Sequence, residues 1–313
     1  MTIALVFPGQ GSQQQGMAAP WRDHPAFARW AEADELLGED VTRLGLDAGD
    51  EELREPAACQ VALFVHHVVL LHAWRAAGGA EPAVVAGHSL GEYNALVAAG
   101  VVDFADGLRL VHARAEQTQL AADQRPGTMV ACLGFEVEEV QQACDKVGVY
   151  VANDNATGQI VAAGASDDLD RLRALLEGGR GRVRELNVGA AYHSPHMEPA
   201  VEPFGVALDG ARFAEAAVPV VANIDARPHT AAGDWPQLLR QQITSPVRWR
   251  ETIGTLAGMG VTEVVELGAS AVLTGMVKRT DSSLGRRNVR TPDEVAAKAG
   301  EGGEAVEAVE EPA

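Results

Sequence analysis

The stretch Gly87-His88-Ser89-Leu90-Gly91 constrains this chain more than any other. Before it runs Ala83-Val84-Val85-Ala86, apolar and partly β-branched, which predicts a buried parallel strand. After it, Glu92 to Ala99 is rich in Ala and Leu and free of Gly and Pro, so it continues as a helix. A serine between two glycines at a strand-to-helix turn reads as a nucleophile elbow. The backbone there is strained, the hydroxyl is presented, and the glycines let strand and helix pass closely. The helix N-terminus then supplies unpaired N–H groups, Leu90 first among them, where an oxyanion would form. Taken without its flanks, the same pentapeptide could be an ordinary Gly-Ser turn.

The chain of 313 residues, 47% hydrophobic, is long enough for one large or two moderate domains with a sizeable core. Its net charge of −19 supplies no basic footprint and argues against nucleic acid as a partner. Cys59, Cys132 and Cys144 are odd in number and lack C-x-x-C spacing, which suggests neither a disulfide framework nor zinc, but reduced core thiols in a cytoplasmic protein. The N-terminus lacks a basic n-region and runs from an apolar strand, Ile3 to Phe7, into Pro8-Gly9, so it does not read as a secretion signal. Cys59 to Trp74 is strongly apolar, yet Gln60, His66, His67 and His72 interrupt it; it is expected to be a buried helix and not a membrane span.

In chain order, Phe7-Pro8-Gly9-Gln10-Gly11-Ser12-Gln13 is a loop whose backbone can approach a ligand, with the Gln10 N–H a possible second oxyanion donor. Helices over 25–37 and 51–74 lead to the elbow strand, an order that predicts a parallel sheet covered on both faces. Asp103 and Asp106 form a capping-box-like start to a helix over 104–122, on which Arg114 reads, from the residues alone, as a solvated or salt-bridged side chain. From Pro126-Gly127 the pattern changes to β-α-β-β-α-β, with an Asn-rich turn after Ala152, which fits a small ferredoxin-like unit inserted in the larger one. Past Pro195 helices and buried strands return, over 218–224 and 261–267 for the strands. The expected division is a large domain over 1–125 and 195–290, a small one over 126–194, and an acidic tail over 291–313, disordered at its end.

Several motifs together resemble one family. Phe7 to Gln13, GHSLGEY over 87–93, Asn155 to Val161, Tyr192-His193-Ser194-Pro195, Ser245 to Trp249, and Glu266-Leu267-Gly268 with Leu273-Thr274-Gly275 are similar, in order and spacing, to malonyl-CoA:acyl carrier protein transacylases and the related acyltransferase domains of polyketide synthases. The resemblance spans roughly residues 3 to 280. It implies an α/β-hydrolase-like large domain with a ferredoxin-like insert. It further implies Ser89 as nucleophile, His193 as general base and acid, Gln10 and Leu90 as oxyanion donors, and the Arg248 backbone carbonyl as the group that orients His193.

Under the same resemblance Arg114 grips a malonyl carboxylate, and Gln60, Thr118 and Tyr192 belong to the substrate pocket. Thr118 stands where the family tends to have Met, which suggests extra room, whereas bulky Tyr192 favours a small α-substituent; malonyl is placed ahead of a substituted malonyl. The implied partners are malonyl-CoA or a related acyl-CoA and an acyl carrier protein, with neither metal nor other cofactor. Arg171, Arg173, Arg180, Arg182, Arg184, Lys278, Arg279, Arg286 and Arg287 are candidates for steering an acidic carrier. Two alternatives remain: a trans-acting polyketide acyltransferase for an unusual extender unit, and an editing acyl hydrolase, against which Arg114 argues.

Overall fold

The computed structural model describes residues 1–186 and 188–301. Ten strands form two sheets: β1 (Ile3–Phe7), β2 (Val84–Gly87), β3 (Thr128–Leu133), β4 (Tyr150–Ala156), β5 (Gln159–Gly164), β6 (Arg182–Glu185), β7 (Val220–Val221), β8 (Pro228–His229), β9 (Glu263–Leu267) and β10 (Gly285–Val289). The six-stranded sheet has the order β10-β9-β1-β2-β7-β8 and is parallel apart from the antiparallel pairing of β7 with β8. This is a mixed α/β fold with a largely parallel sheet. β1 and β2 are buried at every position, as a sheet covered on both faces requires.

The strand expected over 218–224 shrinks to Val220–Val221, after which the backbone turns to set Asn223 beside β2. β10 escapes the hydrophobic pattern because it is an edge strand bearing Arg286 and Arg287, charges of the kind that blunt an exposed edge. The helix Phe104–Gln124 starts at Asp103, whose carboxylate accepts from the Asp106 N–H at 2.8 Å. The reciprocal half of the box is missing: Asp106 takes Arg109 and the Arg212 N–H instead. The apolar helix Pro56–Ala76 is buried inside the protein, and the three cysteines are free and buried.

The second sheet is antiparallel, with the order β4-β5-β3-β6. The Asn-rich stretch expected as a turn is mostly strand: Asn153, Asp154, Asn155 and Ala156 continue β4, all buried, and only Thr157-Gly158 turn. The reason is a tertiary one. The outer edge of β4 pairs with the segment before helix Trp249–Gly258, the Asp154 N–H donating to Val247 O and the Val247 N–H to Ala152 O, each at 2.9 Å. Arg250 then binds the Asp154 carboxylate with its nearest contact at 2.7 Å.

The start of the expected acidic tail is also structured. Helix Pro292–Glu301 packs Val295 into the main core, and the Trp21 indole donates to Arg290 O just before it. The disorder expected at the chain's end falls on 302–313, outside the described residues.

Candidate active site

Ser89 follows β2 with φ of 51°, in the left-handed region that costs a non-glycine residue energy. The flanking glycines are steric necessities. A Cβ on Gly87 would lie 1.9 Å from the Gly91 carbonyl carbon, and one on Gly91 would lie 2.0 Å from Phe7 O. Asn223 braces the turn by accepting from the Ser89 N–H and donating to Gly87 O, both at 2.6 Å.

The Ser89 hydroxyl meets His193 Nε2 at 2.7 Å, although the two residues lie 104 positions apart. On the far side of the ring Nδ1 lies 3.0 Å from the backbone carbonyl of Gln242, which can only accept. The proton therefore sits on Nδ1, and Nε2 is left as the acceptor for the serine. This corrects the expectation for Arg248, whose carbonyl accepts from the Thr252 N–H in the first turn of the next helix. The orienting carbonyl belongs to the end of helix Trp235–Gln242, which no local pattern around Ser245 to Trp249 reveals.

Arg114 is buried, not solvated. Its Nη2 donates to the Ser89 hydroxyl at 3.2 Å and to the Gln242 side-chain oxygen at 3.3 Å, while Nη1 donates to Gln60 Oε1. The guanidinium lies over the Tyr93 ring, 5.7 Å from its centroid. Among the described residues it has no ion-pair partner, and its Nε–H is buried without an acceptor. A buried guanidinium touching the nucleophile with a donor unmet has the chemistry to bind an anion.

Gln60 and Thr118 sit behind Arg114: Gln60 Nε2 donates to Thr118 Oγ1 at 3.4 Å, and that hydroxyl donates to Ala115 O. Tyr192 instead lines a cavity of about 150 Å³, together with Gly9, Gln10, His88, Ser89 and His193. The Gln10 loop is pressed against the elbow, for a Cβ on Gly9 would lie 2.6 Å from His88 O. Neither the Gln10 nor the Leu90 N–H donates to a backbone acceptor among the described residues.

Three residues at this site escape a reading of the sequence: Glu92, Asn223 and Gln242. Glu92 is the one charged residue in the elbow helix, Gly91–Ala98, which is the only local signal. Among the arginines singled out above, Arg171, Arg173 and Arg287 are paired with Asp168, Asp170 and Glu263. Arg180, Arg182, Arg184 and Arg279 line one open groove, which shares Leu186 with the Ser89 cavity.

Burial, reinforced by the Arg114 charge, pushes His193 down to about 3. Burial likewise holds His66 at about 3 and His67 at about 4. The unfolded chain protonates these rings near their ordinary value, about 6.5, while the folded chain does not. Their stabilising contribution is therefore present above pH 6.5 and is lost on acidification. Glu92, raised by burial to about 7, opposes them, since its folded form takes a proton first. His88, lowered by burial, adds to the histidines, and Glu266, raised by burial, adds to Glu92; the histidines outnumber the carboxyls, so folding stability is expected to fall between pH 6.5 and 5. Urea denaturation at the two pH values measures it, and an unchanged midpoint would contradict the neutral buried state of these histidines.

Known proteins match most of the chain. The family model described as acyl transferase domain matches residues 4–302. The malonyl CoA-acyl carrier protein transacylase of Escherichia coli (strain K12) is 37% identical over 302 residues, covering 94% of this chain and 98% of that protein. The polyketide biosynthesis malonyl CoA-acyl carrier protein transacylase BaeC of Bacillus velezensis is 38% identical over 283 residues, covering 88% and 96%. A solved complex of a type II PKS acyl-carrier protein with its malonyl-transacylase, PlMCAT:AntF, superposes with a TM-score of 0.93 at 34% identity, covering 96% of this chain and all of that one. The chain is thus an acyltransferase, and it belongs to the malonyl-CoA:acyl carrier protein transacylase family.

Proposed function

We propose that this enzyme moves a malonyl group from CoA to the phosphopantetheine thiol of an acyl carrier protein through an ester on Ser89. The observation that carries the reading is the Arg114 guanidinium, buried, unpaired by any carboxylate among the described residues and in contact with the nucleophile's oxygen. His193 Nε2 takes the Ser89 proton as Oγ bonds to the thioester carbon. The negative charge that develops on the carbonyl oxygen is met by the Leu90 and Gln10 N–H groups. Collapse breaks the C–S bond, and the departing CoA sulfur takes the proton from His193. The carrier's thiol then repeats the steps in reverse, giving its proton to His193 and ending as the malonyl thioester. Serine and histidine supply all the acid–base and nucleophilic chemistry that these steps use, so the reading needs no metal and no cofactor.

In this reading the parallel-sheet domain, 1–125 with 195–290, is α/β-hydrolase-like, and 126–194 is a ferredoxin-like insert. The β4-β5-β3-β6 order, with helix Val137–Val147 between β3 and β4 and helix Ser166–Leu176 between β5 and β6, supports the latter. The carrier would approach over the groove of Arg180, Arg182, Arg184 and Arg279, a local positive surface on a chain of net charge −19, and the enzyme would work in the cytoplasm. Tyr192 on the cavity wall favours unsubstituted malonyl, because a bulky side chain beside Ser89 leaves little room for an α-substituent.

Intact-protein mass spectrometry after brief exposure to an equimolar mixture of acetyl-, malonyl-, methylmalonyl- and ethylmalonyl-CoA tests this. A malonyl adduct is expected on the wild type and on no Ser89→Ala protein. A dominant acetyl adduct would overturn the role of Arg114. Release of CoA without any adduct would indicate hydrolysis.

A further inference from the structure

Glu92 takes no part in the steps above, yet it is buried beneath them. Oε1 accepts the Asn223 backbone N–H at 2.7 Å and the Asn223 side-chain amide at 3.1 Å, and Oε2 accepts the Gln242 side-chain amide. Those two partners are the ones that hold the site. Asn223 fixes the Ser89 backbone, and Gln242 presents its main-chain carbonyl to His193 and its side-chain oxygen to Arg114. The Gln242 amide faces two groups that only accept, Ser89 O and Glu92, with its nitrogen, and one that only donates, Arg114, with its oxygen. Reversal would set oxygen against oxygen and an NH2 against a guanidinium.

We propose that Glu92 is a positioning residue that locks the orientation of the Gln242 side-chain amide and thereby shapes Arg114 into a receptor for the substrate carboxylate. The inference rests on the malonyl reading of Arg114. It follows from donor and acceptor counting. With Gln at 92, one side-chain oxygen must serve both the Asn223 donors and the Gln242 donor. Whichever it serves, its own NH2 faces another donor in a site closed to water. Turning the Gln242 amide relieves that clash by directing an NH2 at Arg114.

The test is acylation of full-length enzyme at pH 8 with malonyl-CoA and with acetyl-CoA, for the wild type, Glu92→Gln, Gln242→Ala and the double variant. Glu92→Gln is expected to lower the malonyl rate by about 10–100-fold and the acetyl rate by no more than about threefold, scaled on the worth of a buried charge-assisted bond. In the Gln242→Ala background, where no amide remains to turn, Glu92→Gln should change the preference by less than about threefold. Should Glu92→Gln fail to fold, the exchanged pair Glu92→Gln with Gln242→Glu keeps one carboxylate and its bonds. That protein is expected to fold without regaining malonyl preference, because Glu at 242 would occupy Arg114. A wild type without malonyl preference overturns the Arg114 reading and this inference with it. A wild-type preference that survives Glu92→Gln, falls equally for both substrates, or falls equally without the Gln242 amide overturns this inference alone.

Discussion

His193→Ala is expected to slow acylation of Ser89 by about 10³–10⁴-fold, the range for loss of a positioned general base. The serine keeps its contact with Arg114 and its brace from Asn223, so the nucleophile stays in place with nowhere to send its proton. Single-turnover release of CoA from malonyl-CoA measures this, and a loss smaller than about tenfold would mean that another group, or water, serves as base. The same substitution has a second signature. It removes one of the rings that resist protonation in the folded state, so the acid-induced loss of stability should ease by about 1.4 kcal/mol per pH unit below pH 6. The two results are read on different instruments, and only a buried, neutral base accounts for both.

Arg114→Ala is expected to lower kcat/KM for malonyl-CoA by about 2–5 kcal/mol, or roughly 30- to 4,000-fold, as for removal of one member of a desolvated charge pair. Acetyl-CoA should improve or hold, since the guanidinium that it leaves unanswered is gone. Arg114→Lys separates charge from shape. It retains the cation but cannot present a planar fork, and Gln60 and Gln242 would compete for its ammonium protons. A malonyl preference intermediate between wild type and alanine is expected, measured as competing adducts on Ser89. An alanine variant that still selected malonyl over acetyl would place the carboxylate elsewhere.

The motifs that announce this chemistry are local, and so they were legible in the sequence. Strand, Gly-x-Ser-x-Gly and helix fix where Ser89 sits because each element is a short-range consequence of its residues. The orienting carbonyl was misplaced at Arg248 for the opposite reason. A backbone carbonyl carries no side-chain signature, and the end of helix Trp235–Gln242 reaches His193 only through tertiary packing. Arg114 shows both limits: on helical spacing it reads as a surface residue, and only agreement of the distant motifs brings it inside. Asn153 to Ala156 look like a turn by composition, yet they form strand because Val247 offers their backbone a partner nearly a hundred residues away. β10 was hidden by its arginines, and the helix after Arg290 by an acidic composition that masks the apolar anchor at Val295.

The fastening of β4 fixes one wall of the site, for Asn153 and Asn155 line the same cavity as Ser89. Two backbone bonds at Val247, the Arg250–Asp154 pair and the 2.7 Å contact between His88 and Asn155 hold that one edge of the four-stranded sheet to the start of helix Trp249–Gly258 and to the elbow. The opposite edge, β6, is largely exposed and carries the arginine groove. The four-stranded sheet is therefore anchored at β4, beside the cavity, while β6 leads along the chain to His193, eight residues past Glu185.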